Sequence, residues 1–226
     1  VLFRSYRKKN AIINIQIKRI TLNFLVLKMK KFILIITYIS ALFLSGCYTI
    51  EIPTSTHPET YPTGNTEINS AYFYLNKIRA NPSGYITEIN AFNLSHTVLL
   101  TDINYGNSMP LRWNDLLALS AQRKAEDMAV NNYFAHVYNG KGPVHWITEA
   151  GYNPSGYGES LAGGYNTGKK NILALIDDAT ESPTYGHRVH LLSLSESMKR
   201  HVDIGIGYAY HASSTYKWYF VVHTAY

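Results

Sequence analysis

The last 25 residues constrain the fold most. From Val202 to Tyr210, the apolar set Val202, Ile204, Ile206, Tyr208 and Tyr210 alternates with Asp203, Gly205, Gly207 and Ala209. From Tyr216 to His223, Tyr216, Trp218, Phe220 and Val222 alternate with Lys217, Tyr219, Val221 and His223. A period of two is the strand period, and His211 to Thr215 lies between the runs, so the pattern predicts an antiparallel hairpin.

Upstream the period changes to that of a helix. Ile68, Ala71, Leu75 and Ile78 recur at helical spacing over Glu67 to Ala80, with Asn65 or Thr66 as the cap. Asn81-Pro82 ends this helix, because the residue before proline avoids the helical region. A second helix is predicted over Ser83 to Phe92, and Asn93 to Pro110 reads as loop. The strongest helix spans Asp115 to Tyr133: Leu117, Ala121, Ala125 and Met128 form its stripe, and Arg123, Lys124 and Asp127 fall off it. Pro143 starts a helix to Ala150, with Gly151 to stop it. Tyr157 to Ala162 is a short strand, and Lys169 to Ala179 is another helix. Helices first and strands last make an α+β domain, with helices packed on a small antiparallel sheet.

Composition bears on partners and compartment. The net charge of +6 comes from residues 1–47, which hold nine Lys/Arg and no acid; residues 48–226 hold 12 basic and 15 acidic residues. That remainder has no basic face, which excludes nucleic acid as a partner. At 46% hydrophobic residues a sizeable core is expected. The single cysteine, Cys47, excludes an intrachain disulfide. Residues 1–28 mix Arg, Lys, Ile and Asn and are read as an upstream extension, with the natural start at Met29. Lys30-Lys31 then precede the mostly apolar run Phe32 to Leu44, of signal-peptide length and short for a membrane span. Leu44-Ser45-Gly46-Cys47 resembles a bacterial lipobox, which makes 29–47 a lipoprotein signal peptide and Cys47 the lipidated N-terminus. Lipidation would tether the domain to a membrane without spanning it, at the outer membrane if the cell is Gram-negative. Residues 48–66, with Pro53, Pro58 and Pro62 among Thr and Ser, read as a polar tether, and 67–226 as the domain.

The chemistry lies between His136 and Arg188. His136 follows Phe134-Ala135, Glu159 sits in Gly158-Glu159-Ser160, Asp177-Asp178 end a helix, and His187 sits in Gly186-His187-Arg188. Two histidines and up to three acids in one segment are groups that bind a divalent metal or move a proton. Acids at a helix C-terminus are electrostatically unfavourable, which calls for a compensating partner or an earlier helix end.

These motifs, together with Leu75-Asn76-Lys77-Ile78-Arg79, Asn81-Pro82, Leu111-Arg112-Trp113, Ala150-Gly151-Tyr152 and Val202-Asp203-Ile204-Gly205-Ile206-Gly207, resemble the CAP superfamily, the cysteine-rich secretory, antigen 5 and pathogenesis-related group. The bacterial branch is the nearest in pattern, and the resemblance covers about 69–226. It implies an α-β-α sandwich with a wide cleft, lined by two histidines and two acids that hold zinc or another divalent cation. Carried over by motif, His136 and His187 match the histidines as metal ligands. Glu159 matches the first acid and Asp178 the second, with Asp177 as the alternate; these are the expected catalytic groups. Ser160 stands where relatives often have Asn.

Three protein ligands with one open position would suit a metal-activated water, with Glu159 accepting its proton. Arg188 is expected in a structural salt bridge, with Asp177 as the candidate partner. His145, His190, His201, His211 and His223 are read as scattered polar or strand positions, and Glu181 as a solvated loop residue. Tyr152, Tyr157, Tyr165 and Tyr185 crowd the stretch; their flat bodies and polar tips suit sugar or lipid contact, though packing accounts for most of them. Three functions compete: a membrane-tethered binding protein for a lipid, glycan or peptide; a metal-assisted hydrolase of an envelope or host polymer; and an adhesion module with a vestigial tetrad. No serine or cysteine nucleophile motif is present, and binding is favoured.

Overall fold

The computed structural model describes residues 63–103 and 108–226. The stretches read as an upstream extension and a signal peptide, Cys47, and most of the stretch read as a tether lie outside the described residues. In chain order the elements are helices α1 (Thr66–Ala80) and α2 (Pro82–Phe92), strand β1 (Arg112–Trp113), helices α3 (Asp115–Asn131) and α4 (Pro143–Glu149), strand β2 (Tyr157–Gly163), helices α5 (Gly168–Asp177) and α6 (Gly186–Leu191), and strands β3 (Asp203–Tyr210) and β4 (Trp218–Ala225). Among the described residues no helix is long and apolar enough to cross a membrane.

The helix boundaries follow local chemistry. Asn65, Asn81 and Asn114 each accept a backbone N–H of the following first turn. Thr63 exchanges hydrogen bonds with Asn69 (3.1 and 2.7 Å), so the segment read as a tether already contributes its last residues to the start of α1. α3 ends two residues before Tyr133, because Asn132 turns left-handed (φ 51°) and caps it. α5 likewise ends at Asp177, with Asp178 left-handed at φ 50°.

The sheet order is β1-β3-β4-β2. β3–β4 and β4–β2 are antiparallel, while β1 runs parallel to β3, so the sheet is mixed rather than wholly antiparallel. A two-residue strand has no period to reveal it, and β1 forms only because Arg112 and Asn114 donate to the carbonyls of Val202 and Ile204.

Helices cover both faces of the sheet. Ile204, Ile206, Phe220, Val222 and Ala162 pack with α1, α2 and α5; Leu161, Tyr219 and Val221 pack with Ala121, Ala125 and Met128 of α3. The glycines that alternate with the apolar residues of β3 therefore face a helix, not water. Built Cβ atoms on Gly205 and Gly207 would lie 2.0 and 2.2 Å from the α3 backbone.

Lys124 departs from expectation. It is fully buried, its Nζ 3.3 Å from both the Tyr133 hydroxyl and the His136 carbonyl oxygen and above the rings of Tyr133 and Trp146. Its alkyl stem packs while its ammonium finds oxygens and aromatic faces, a combination helical spacing does not reveal.

Arg79 of α1 is also buried, donating to the carbonyls of Met109 and Leu191 and to Ser193 Oγ, and burial pulls its pKa down to about 10. Arg79→Met keeps the volume but strands those acceptors. We expect a loss of about 2–4 kcal/mol, seen as a lower urea midpoint at unchanged slope.

Candidate functional site

The strand register builds the first half of the site. Glu159 on β2 stands directly opposite His223 on β4, and His223 opposite Gly205 on β3, all on the α3 face. His223 Nε2 donates to Glu159 Oε2 (2.8 Å), and its Nδ1 lies 2.7 Å from Ser120 Oγ of α3. Glu159 Oε1 accepts from His136 Nδ1 at 2.6 Å. The row Ser120–His223–Glu159–His136 thus crosses the domain from a buried helix to the surface. Ser120 and His223 are fully buried, so this row orders the site rather than presenting a nucleophile. Lys124 steadies the near end by holding the His136 carbonyl oxygen.

The second half is made by the turn after α5. Because α5 stops at Asp177, Asp178 is free to cap the next helix: its Oδ2 accepts the N–H groups of His187 and Arg188 (3.0 and 3.2 Å). A carboxylate at a helix N-terminus is stabilised by the N–H groups it satisfies, which removes the conflict expected for acids ending α5. Its other oxygen accepts from His187 Nδ1 at 2.7 Å. Asp177 turns elsewhere, bonded to Asn93 Nδ2 (3.0 Å) and His96 Nδ1 (2.8 Å).

Arg188 forms its salt bridge with Asp102 (4.0 Å) and not with the Asp177 carboxylate. Its guanidinium donates to the backbone carbonyls of Ile176 and Asp177 and lies 4.3 Å from the Tyr185 ring centroid. Carbonyls at the end of α5 lack helical partners, and a buried guanidinium satisfies two of them at once. Burial lowers its pKa, against the pull of nearby acids, foremost Asp102.

The imidazoles of His136 and His187 face each other at 6.5 Å between centroids, tilted by 33°. Their side chains are 53% and 16% exposed, whereas the Glu159 and Asp178 carboxylates behind them are 1% exposed. The carboxylates are therefore screened from solvent while both rings are reachable. Burial opposes ionisation of Glu159, but hydrogen bonds from His136 and His223 outweigh it and hold the carboxyl below its ordinary range.

Both rings line a hollow of about 240 Å³ with Glu159, Gly158, Glu181 and His190. It adjoins a larger one of about 870 Å³, which shares His187 and Glu181 and continues past Leu161 to Gly163 of β2. Two aromatic pairs line the larger hollow, Phe92 with Tyr165 (5.6 Å) and Phe134 with Tyr216 (4.9 Å). Glu181 is exposed and borders both hollows. Of the other tyrosines, Tyr152 donates to Asp203 Oδ2 (3.0 Å) and Tyr157 is exposed on β2.

For a divalent cation, the donor set fits a two-imidazole site. Each Nδ1 is engaged by a carboxylate, which leaves Nε2 as the metal-facing nitrogen and fixes its tautomer. Among the described residues no group of three or more His, Cys, Asp or Glu is placed to surround one ion. Both oxygens of Glu159 are already occupied, so it stands behind His136 rather than beside an ion.

Sequence reasoning passed over His223, Ser120 and Lys124. The only signal for His223 was its polarity at a buried position of an alternating strand. Two further buried histidines converge on one hydroxyl: His190 Nε2 and His201 Nδ1 each lie 2.6 Å from Thr224 Oγ1, and His190 Nδ1 lies 2.7 Å from Ser160 Oγ.

Comparison with known proteins places these observations in a family. No curated protein sequence matches. Among solved structures, an extracellular SCP-domain protein from Bacillus anthracis aligns at 19% identity and TM-score 0.43, over 63% of this chain and 40% of that one. An outer surface protein from Borrelia burgdorferi aligns at 18% and 0.41, over 66% and 93%. Venom allergen-like protein 4 of Schistosoma mansoni aligns at 15% and 0.45, over 71% and 88%. This chain spans less than half the length of the Bacillus protein. The model of the CAP (cysteine-rich secretory protein) family matches residues 72–224, and the chain belongs to that family.

Proposed function

We propose that this is an extracytoplasmic, lipid-anchored binding protein whose cleft holds a divalent cation, zinc by donor type, between His136 and His187. The observation that carries the metal reading is the pairing of each solvent-reachable imidazole, through Nδ1, with a buried carboxylate. Such pairing fixes ring orientation and leaves Nε2 as the nitrogen free to ligate. Bound there, the cation would supply a Lewis-acidic centre for a carbonyl, carboxylate or hydroxyl of a ligand. Glu159 and Asp178 act as positioning groups, and His223 and Ser120 position Glu159 in turn. The hollow running on from His187 gives a lipid, glycan or peptide a place beside the cation. The anchor reading is supported by the Leu44-Ser45-Gly46-Cys47 motif after an apolar run.

Zinc titration by calorimetry tests the metal reading. We expect saturable one-to-one binding at pH 7.5, lost in the His136→Ala/His187→Ala double variant. Binding should weaken as pH falls, because the ligating imidazoles must be neutral. Heat that is unchanged in the double variant would overturn the assignment of the site.

A further inference from the structure

The cleft runs along an unpaired sheet edge. Among the described residues β2 is the outermost strand on its side and pairs with β4 alone. Gly156 and Tyr226 exchange both backbone hydrogen bonds (3.4 and 3.1 Å), and Gly164 N–H donates to the Trp218 carbonyl (3.0 Å). Hydrogen-bonded pairs alternate along an antiparallel ladder, so Gly158, Ser160 and Ala162 also direct N–H and C=O to β4. The N–H and C=O of Tyr157, Glu159, Leu161 and Gly163 therefore point away from the sheet. No backbone or side-chain hydrogen bond engages these outward groups among the described residues. Both hollows open on this strand, the smaller at Gly158 and Glu159 and the larger at Leu161 to Gly163.

The geometry points to an extended peptide as the occupant, added to β2 as a fifth strand. This deepens the cleft reading above and rests on it. Outward groups that recur every second residue as donor and acceptor call for a partner with the same repeat. A polypeptide backbone has it; a glycan or an acyl chain does not. The walls match the side-chain alternation of such a strand. The Phe134–Tyr216 pair packs over Gly163 on the α3 face, its nearest atoms 3.0–3.2 Å from a built Gly163 Cβ. Phe92 packs with the core cluster of the opposite face and meets Tyr165. Successive side chains of a bound peptide would enter one aromatic pair and then the other, while its backbone passes the two imidazoles.

The test uses linear heptapeptides displayed on phage, panned against the purified protein in EDTA. Recovered sequences are resynthesised with one N-methyl group at each position in turn. We expect binding to fall at least tenfold at every second residue and to hold at those between. On binding, the amides of Glu159, Leu161 and Gly163 should slow in hydrogen exchange, while those of Gly158, Ser160 and Ala162 stay unchanged. Leu161→Pro removes one outward N–H with a residue that edge strands tolerate, and should weaken binding about tenfold; should that variant misfold, the N-methyl series alone decides. Recovery of no peptide, or tolerance of N-methylation at every position, overturns the proposal. So does protection of the same amides on raising protein concentration without peptide, which would assign the edge to a second copy of this chain. Because EDTA is present throughout, failure of the zinc site and failure of peptide pairing are read separately.

Discussion

Gly205→Ala is expected to abolish the folded state. The added methyl would sit 2.0 Å from the Ala118 nitrogen and the Leu117 carbonyl carbon, where backbone cannot yield as a side-chain tip can. Relieving the overlap means lifting α3 off β3 and β4, opening the cluster of Leu161, Tyr219 and Val221 against the α3 alanines. Overpacking of this severity belongs to the tail of point-mutant effects, above about 4 kcal/mol, against a typical domain stability of about 5–15 kcal/mol. The same lift would carry Ser120 away from His223, so any folded remainder should also lose the order of the Glu159 row. Circular dichroism and urea melts of Gly205→Ala beside Gly186→Ala make the comparison. Nothing lies within 4 Å of a built Gly186 Cβ, so that variant should fold as well as the parent. Equal melts for the two variants would show that α3 has room to move.

Acid should destabilise the domain well above the range where carboxylates titrate. His190 is held between Ser160 Oγ and Thr224 Oγ1. Burial, reinforced by the neighbouring His201, His187, His223 and Arg79, pushes its pKa down to about 3. Burial lowers that of His201 as well, with Arg200 and Arg79 adding to it. In the unfolded chain an imidazole titrates near 6.5. Between those values the unfolded state binds the extra proton, so stability rises with pH and is lost on acidification. From pH 7.5 to 5.0, His190 alone should cost about 2 kcal/mol, or roughly 4–8 °C in melting temperature for a domain of this size. Depression of the Glu159 pKa acts in the same direction at lower pH, its contribution falling away as the folded-state carboxyl protonates. Melting in EDTA at both pH values measures this, and His190→Gln should flatten the change while lowering the starting point. A wild-type melt that stays level between those pH values would mean that His190 protonates without cost in the fold.

What could be read from the chain was whatever has a local period or a local motif. The stripes of α1 and α3, the alternation of β3 and β4 and the proline and glycine punctuation are all settled within a few turns of backbone. The residues His136, Glu159, Asp178 and His187 were legible because each lies in a short motif that resembles the family's, whatever element it sits on. Asp178 became distinct from Asp177 only where the chain turns left-handed after α5. That one torsion aims Asp178 at the start of α6 and leaves Asp177 to Asn93 and His96.

Tertiary structure alone decided the rest, because it depends on which distant strand lies opposite which. His223 reads as one more residue of an alternating run until β2 pairs with β4 and places Glu159 beside it, 64 positions away in sequence. Lys124 looks like the polar side of a helix until Tyr133, His136 and Trp146 close over it. Whether β2 is central or outermost is written in no residue of β2 itself. Strand order decides it, and with it which backbone groups are left open along the cleft. Local sequence sets where elements begin, end and turn their apolar sides; register and order are collective, chosen by burial of both sheet faces at once.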